Sequence, residues 1–291
     1  MRSARLRCIV GAIAILLAKQ AFAASPSVDV KAVANTAAIA PGRPFQVAVT
    51  VTPEPGWHIY WKNPGDTGLP TKVKWNLPDG FVAGELQFPI PHQFTMPGDI
   101  TAYGYEGPTT FLVTITPPKV LKAGETITLK ATASWLCCKE ECVPGRETFE
   151  VSLPVVEQPV PANQPLFQDA QAQMPLDHPP TALGTIRVEI SKTAVGQAFT
   201  LKTSAPGLKL EMFPENVPGL SVSDIRSPTD SEIQFNARVM EGQTLPVQEL
   251  PVLIVYRNAA ENHAAGTNSA DSRSGFYTKI SLSGLSASDT H

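Results

Sequence analysis

The stretch ATASWLCCKEECVPGRETFEV, residues 131–151, places three of the chain's four cysteines within six positions. An alternating, β-branched run over residues 126–132 leads into Cys137 and Cys138, and a similar run over residues 148–153 follows Cys142. Two such runs separated by a short charged segment predict a β-hairpin. The cysteines would then lie at the mouth of that hairpin, facing each other.

Further runs with strand character recur along the chain, each bounded by Pro, Gly or charged turn residues. They cover residues 45–51, 111–116, 185–191, 198–204, 208–213, 232–239, 252–256 and 275–282. Only residues 166–174 predict a helix, which the Asp-His-Pro-Pro sequence at 177–180 ends because proline disfavours helical geometry in the residue before it. The chain is therefore predicted to be all-β.

The two halves of the chain resemble each other weakly. PGRPFQV at 41–47 resembles VGQAFTL at 195–201, and WNLPDGFVAGELQFP at 75–89 resembles FPENVPGLSVSDIRSP at 213–228. Two immunoglobulin-like β-sandwich domains in tandem would explain this repeat. We predict domains at 24–157 and 181–291 with a linker at 158–180. The first copy is longer, with its extra residues expected around 55–68, and it alone holds the cysteine cluster, so function is sought there.

The N-terminus has the layout of a secretory signal peptide. Residues 1–23 have three arginines among the first seven positions, continue with an apolar run over residues 8–18 and end with Ala-Phe-Ala. The apolar run is too short to span a bilayer, so cleavage before Ala24 and export are expected. No later stretch predicts a transmembrane helix, and direct membrane insertion is not expected.

Charge excludes one class of partner. The full chain has a net charge of −3 at pH 7, and removal of the basic signal peptide makes the remainder more acidic. Without a basic run or an aromatic ladder among basic residues, nucleic acid is not an expected partner.

The pairing of the cysteines is open from the residues alone. Cys138 and Cys142 flank a three-residue turn, a spacing within disulfide range, and Cys138 is favoured because it is nearer the turn. Since side chains alternate along a strand, Cys137 and Cys138 should point to opposite faces, and only one of them should meet Cys142. Cys137 remains the alternative partner.

Three chemical interpretations compete for this cluster. A structural disulfide suits an exported protein, but closing so small a ring contributes only about 2 kcal/mol. An exchangeable disulfide fits an exposed ring at a strand turn. Copper(I) is the third, because it accepts thiolate, thioether and imidazole ligands. Its candidate ligands are Cys137, Cys138, Cys142, Met96, His92 and His58. His58 and His92 are otherwise expected to be turn or surface residues.

Four segments in order carry a resemblance to a known family. They are YWKNPGDTGLPTKVKW (60–75), FPIPHQF (88–94), YGYEGPTTFLV (103–113) and SWLCCKEECVPG (134–145). Together they resemble the periplasmic N-terminal domain of the thiol:disulfide interchange protein DsbD, in the variant of ScsB-type, copper-tolerance-associated relatives. The resemblance is clear over about residues 28–155.

The resemblance implies a function. In that family an immunoglobulin-like domain takes electrons from a membrane-embedded reductase through a thioredoxin-like domain and passes them to oxidised periplasmic proteins. Carried over, Cys138 and Cys142 become the redox pair, the protein is periplasmic, and no dissociable cofactor is needed. This sequence departs in lacking the membrane and thioredoxin-like segments, which makes the donor another polypeptide, and in having Cys137 where an apolar residue is expected.

The resemblance also suggests a loop that covers the cysteines until a partner arrives. Residues 94–105 are the candidate lid, with Met96 or Tyr103 against the sulfurs. The residues expected at the lid or partner surface are Phe94, Met96, Tyr103, Tyr105, Trp57, Tyr60 and Trp61. Trp75 and Trp135, which lie in strand-like runs, are expected in the core. A non-catalytic interaction module with a plain structural bridge remains the alternative from a different class.

Overall fold

The computed structural model describes residues 27–193, 196–258, 273–283 and 285, so the predicted signal peptide lies outside it. The first eleven strands are β1 Val28–Ala34, β2 Thr36–Ala38, β3 Phe45–Pro53, β4 His58–Gly65, β5 Lys72–Asn76, β6 Val82–Ala83, β7 His92–Met96, β8 Ile100–Glu106, β9 Thr109–Thr116, β10 Thr126–Cys138 and β11 Cys142–Pro154. A connecting region holds β12 Val160–Pro161, helix α1 Gln164–Ala172 and a 3-10 turn at Thr181–Leu183. The remaining strands are β13 Ile186–Thr193, β14 Gly196–Thr203, β15 Leu208–Pro214, β16 Leu220–Thr229, β17 Glu232–Val239, β18 Glu249–Asn258 and β19 Ser274–Ser281.

The first half forms a sandwich of two antiparallel sheets. One has the strand order β1-β3-β9-β6, and the other β11-β10-β4-β8-β7, with β5 also paired to β10. The alternation in the sequence becomes the core, as in β3, where Phe45, Val47, Val49 and Val51 are all buried. This period-2 pattern is what a strand with one core-facing side requires.

The second half repeats the arrangement with fewer strands. Its sheets have the orders β13-β14-β17-β16 and β15-β18-β19. They correspond to β1-β3-β9-β6 and β4-β10-β11 of the first half, which confirms the predicted all-β fold with two immunoglobulin-like sandwiches.

The extra residues of the first half do not lie where the sequence comparison put them. The β3–β4 and β14–β15 connections have the same length, so residues 55–65 have a counterpart in the second half. The additions lie within residues 66–81, which carry β5, and within residues 84–108, which carry β7 and β8. In the matched stretches, Gly42 precedes the first addition and Gly80 lies near its end, so they do not locate it, and the second addition follows Gly80.

The region predicted as a linker packs on the first sandwich. Helix α1 buries Phe167 and Ala170 against Ala48 of β3 and Leu112 of β9, and β12 pairs with β2. Residues 160–172 are therefore ordered by apolar contact and strand pairing and do not form a free spacer. The division of the chain at residues 157 and 181 stays a prediction.

The two sandwiches share a buried contact. Phe213 of β15 is fully buried in the core cluster of the first sandwich, with its ring 6.1 Å from Trp61 and 5.1 Å from Tyr103. Asn63 Nδ2 donates a 2.7 Å hydrogen bond to the carbonyl of Pro214. Strand β4 is thus held from the side of the second sandwich.

Charged groups extend this contact. Lys62 forms an ion pair with Glu215, and its ammonium lies 4.2 Å from the ring centre of Tyr277. Arg273 donates a 2.9 Å hydrogen bond to the carbonyl of Pro91, the residue before β7. The second sandwich therefore contacts β4 and the residue before β7, and these two strands supply the side chains that surround the cysteine pair.

Candidate functional site

The adjacent cysteines of β10 point in opposite directions. Cys137 lies in the main core of the first sandwich, whereas Cys138 belongs to a small cluster on the outer face of the same sheet. Strand alternation requires this separation. Burial raises the pKa of the Cys137 thiol to about 11, with the negative charge of Glu54 adding to the effect. Cys137 is therefore a neutral core thiol.

The sulfur atoms of Cys138 and Cys142 are bonded. The two residues are register partners across the β10–β11 hairpin, with their Cα atoms 4.1 Å apart, and the amide of Lys139 donates a 3.0 Å hydrogen bond to the carbonyl of Glu141 within the turn. Cys138 is completely buried, while Cys142 is exposed. One end of the bond is open to solvent and the other is enclosed.

His58 lies on the opposite side of Cys138 from Cys142. It is the register partner of Cys138 on β4 and is 6% exposed. Its Nε2 is 3.3 Å from the hydroxyl of Tyr60, and that hydroxyl is 4.0 Å from Sγ of Cys142. Burial lowers the pKa of His58, opposed by the charge of Glu106, and burial raises the pKa of Tyr60. A neutral imidazole and a neutral phenol therefore adjoin the disulfide.

Phe94 and Met96 of the edge strand β7 cover this group on the same face of the sheet. Both pack on the cluster of Cys138, Tyr60 and Ala102. Phe94 stacks on the ring of His58 with centroids 5.1 Å apart. Strand β8 lies between β4 and β7, and next to Tyr60 and Phe94 it presents the small residues Gly104 and Ala102 on this face. The side chains of β7 can therefore reach across β8.

Glycine is required at two places around Tyr60. A Cβ on Gly104 would lie 2.1 Å from the carbonyl oxygen of Ile59, and one on Gly68 would lie 2.4 Å from the Tyr60 ring. Gly68 also has φ +103°, a conformation that side chains rarely allow. The 66–71 connection and β8 thus pack closely around the phenol.

The structure divides the predicted lid. Phe94 and Met96 contact the cluster around the buried sulfur, but Tyr103 and Tyr105 do not. Tyr103 packs on Phe213, and Tyr105 donates a 2.8 Å hydrogen bond to the carbonyl of Pro89. The segment is a β7–β8 hairpin, so alternation sends the two tyrosines into the core. Of the two residues expected against the sulfurs, Met96 or Tyr103, it is Met96 that packs on the cluster of Cys138.

The three aromatic residues predicted as partner surface also separate. Trp57 is half-buried against the core, Trp61 is fully buried in it, and Tyr60 is fully buried beside the disulfide. The Pro/Gly-rich appearance of this stretch concealed a strand, β4, whose alternate residues face opposite sides. Of the three, only Tyr60 contacts the cysteine pair.

The six candidate ligands of the copper alternative do not all come together. Cys137 is on the opposite face from Cys138, Cys142 and Met96, and His92 Nε2 lies 2.7 Å from a guanidinium nitrogen of Arg273. Within the described residues, no group of three or more His, Cys, Asp or Glu side chains is placed to hold a metal ion.

His58 is the site residue that sequence reasoning did not place beside the redox pair, because apart from its candidacy as a copper ligand it was expected at a turn or on the surface. The usable signal is that His58 and Tyr60 are two positions apart, on one face of a strand running through Trp-His-Ile-Tyr-Trp.

No helix in the described part of the chain has the length and apolarity needed to cross a bilayer.

Comparison with known proteins gives this geometry a context. Residues 24–154 match the family model described as thiol:disulfide interchange protein DsbD, N-terminal. The N-terminal periplasmic domain of ScsB from Proteus mirabilis aligns with TM-score 0.60 and 16% identity, over 87% of this chain and 93% of that chain. The N-terminal domain of Neisseria meningitidis DsbD in the reduced form aligns with TM-score 0.28 and 16% identity, over 43% of this chain and 85% of that chain. Comparison with curated protein sequences gave no match. The ScsB alignment, which covers both sandwiches, shows a shared fold.

Proposed function

We propose, from the match of residues 24–154 to the family model of the DsbD N-terminal domain, that the chain carries out thiol–disulfide exchange in the periplasm through Cys138 and Cys142. The observation that carries the proposal is the asymmetry of the disulfide, with Cys142 exposed and Cys138 buried. An incoming thiolate needs an accessible sulfur and a second sulfur to leave. Cys142 supplies the first and Cys138 the second.

Reduction of the protein takes two displacement steps. A donor thiolate attacks Sγ of Cys142, a donor–Cys142 disulfide forms, and the Cys138–Cys142 bond breaks with its electron pair leaving on Cys138. A second donor thiolate then attacks the donor's own sulfur in the mixed disulfide and releases Cys142. The donor dithiol is oxidised to a disulfide, and the chain gains two electrons and, after protonation, two protons.

The reduced pair then acts on a client. The Cys142 thiolate attacks one sulfur of the client disulfide and releases the other as a client thiolate. Cys138 attacks Cys142 in the resulting mixed disulfide, which restores the Cys138–Cys142 bond and releases the reduced client. The electrons pass through the pair without a cofactor.

Tyr60 and His58 assist these steps by handling charge on sulfur. The Tyr60 hydroxyl, 4.0 Å from Cys142 Sγ, donates to the thiolate when it forms, and neutral His58 orients that hydroxyl from 3.3 Å. Phe94 and Met96 restrict the access of small thiols and oxidants to the buried end.

We propose as donor a membrane-bound reductase of the DsbD or ScsB type or a thioredoxin-like protein, and as clients oxidised periplasmic proteins. Both classes present a cysteine thiol or a disulfide, which is the chemistry that Cys142 recognises. Electron flow from the donor through this chain to the client is part of the proposal.

Redox titration and trapping test the function. A reversible bond between Cys138 and Cys142 should equilibrate with a dithiol buffer at a potential above about −300 mV, the range below which structural disulfides lie. Cys138→Ser should accumulate a mixed disulfide between Cys142 and a thioredoxin-like protein, and Cys137→Ser should behave as the wild type. A bond that resists the dithiol in the native protein, together with no adduct in Cys138→Ser, would reject exchange in favour of a structural bridge.

A further inference from the structure

A groove lies along the β10–β11 hairpin, and of its lining residues Pro144 of β11 is two positions from Cys142. The groove encloses about 460 Å³. Its lining includes Leu69 and Pro70 from the β4–β5 connection, Lys72 of β5, Ser134 of β10, and Pro144 and Arg146 of β11. None of these residues was predicted as part of a site, and none has a role in the exchange steps above.

Strand register places this groove on the same face as the reactive bond. Cys142, Pro144 and Arg146 alternate along β11, so their side chains point to one side. Ser134, the partner of Arg146, is also the partner of Lys72 on β5. At about 3.3 Å per residue, Pro144 lies about 7 Å and Arg146 about 13 Å along the strand from Cys142.

The chemistry of the groove changes along its length. Near the disulfide its walls are apolar, with Leu69 61% exposed and Pro144 also exposed. Its far end has the exposed side chains of Lys72 and Arg146. Within the part of the chain that the structure describes, neither of these two cations forms a salt bridge, whereas eight other lysine and arginine side chains do: Lys31, Lys62, Lys122, Lys130, Lys202, Arg257, Arg273 and Lys279.

The other flank of the disulfide is already covered. His58 and Tyr60 lie there, with Phe94 and Met96 above them. A polypeptide bonded to Cys142 therefore finds its open surface along the hairpin, in the groove.

We propose that this groove binds the stretch of the partner polypeptide next to its reactive cysteine. The stretch is extended, apolar about two residues from that cysteine, and carries a carboxylate about four residues from it, because these spacings match Pro144 and Arg146. This inference rests on the proposed function, since the partner is held at Cys142 by a covalent bond. It adds a preference among partners that the exchange chemistry alone does not supply.

The test uses the full chain with Cys138→Ala, which leaves Cys142 as a free thiol. Its probe is a nine-residue peptide, Glu-Ser-Leu-Ser-Cys-Ser-Leu-Ser-Glu, whose cysteine is activated as a thionitrobenzoate disulfide. Cys142 attacks the peptide sulfur, a Cys142–peptide disulfide forms, and thionitrobenzoate leaves with the electron pair, so its absorbance reports the rate. A second peptide has Lys in place of both Glu residues.

The acidic peptide should react about fivefold faster than the basic one, as expected for exposed charge pairs. Arg146→Glu, in the Cys138→Ala background, should remove or reverse this preference, and Leu69→Ser should slow both peptides. Arg187→Glu makes the same charge change on the exposed surface of β13 and should leave the preference intact. At about 1 M salt the preference should disappear, because the Debye length falls to about 3 Å. The rate of alkylation by iodoacetamide, an uncharged reagent, should be equal in all variants, which separates docking from thiol reactivity.

The outcomes distinguish the two proposals. Failure of Cys142 to form an adduct with either peptide would overturn thiol exchange and the groove with it. Adducts that form at equal rates with both peptides, unaffected by Arg146→Glu, would overturn the groove as a docking site and leave exchange standing. A dimer in solution that Leu69→Ser converts to monomer would assign the groove to a second copy of the chain and likewise overturn the proposal.

Discussion

The imidazole of His58 and the phenyl ring of Phe94 stack with centroids 5.1 Å apart and planes inclined by 20°, although their strands are separated by β8. Strands two places apart in a sheet are about 9.6 Å apart, so side chains seldom meet across the one between. Here the strand between them presents Ala102 and Gly104, which leave room above the backbone. The cover of the disulfide therefore depends on small residues as much as on large ones.

Removal of the Phe94 ring should open the disulfide to small thiols. Phe94→Ala loses an aromatic stacking interaction of about 1 kcal/mol, which corresponds to about fivefold faster reduction by dithiothreitol. The rate is measured by quenching samples at timed intervals and alkylating the released thiols. Phe149→Ala, which truncates another half-buried ring of the same sandwich, packed on Trp75, is the matched control and should reduce at the wild-type rate. Equal rates in all three proteins would show that Phe94 shields nothing.

Gly104→Ala should destabilise the fold. Its Cβ would lie 2.1 Å from the Ile59 carbonyl oxygen, a backbone atom that cannot rotate away, so β4 and β8 must separate. We expect a loss of about 1–3 kcal/mol in the free energy of unfolding, measured in urea. Gly84→Ala, where the nearest atom would be 3.4 Å away, should change it by less than about 1 kcal/mol. A Gly104→Ala protein as stable as the wild type would contradict the close approach of these strands.

His58 should give the protein a stability that declines in acid. Its pKa is lowered in the fold by burial, so the unfolded chain binds the proton more tightly. Stabilisation is therefore complete above the unfolded pKa, near 6.5, and is lost as the pH falls through that value towards the folded pKa. His58→Gln should show a smaller loss of unfolding free energy between pH 8 and pH 5 than the wild type. A larger loss in the variant would reverse the assigned sign.

Cys137 should be unreactive in the native protein. With its pKa at about 11, only about a thousandth of the thiol is ionised at pH 8, and its side chain is fully buried. In Cys138→Ala, iodoacetamide should therefore label Cys142 within minutes and leave Cys137 unlabelled, as peptide mass analysis would reveal. Rapid labelling of Cys137 would show that the core opens, and denaturant should make both thiols react alike.

The strands that have regular alternation were accessible from the sequence. Runs such as 45–51 and 126–132 correspond to β3 and β10, because one buried face imposes period 2 on the residues. The hairpin at the cysteines followed from two such runs and a short charged turn. Family resemblance supplied the redox interpretation, which strand periodicity does not contain.

The site itself was harder to predict. β4, β7 and β8 are rich in aromatic, Pro and Gly residues, so they were interpreted as an insertion and a lid, and the inward direction of Tyr103 and Tyr105 could not be inferred. The position of His58 beside Cys138 depends on the pairing of β10 with β4, residues 80 positions apart in the chain. Such pairing is a property of the tertiary fold, and no local pattern reports it.

The burial of Phe213 against Trp61 and Tyr103 has a consequence for protein engineering. A polypeptide that ended at residue 157 would expose those two rings to water, and exposed aromatic surface promotes aggregation. A fusion protein that contains the cysteine hairpin would therefore also need the second sandwich, which supplies Phe213.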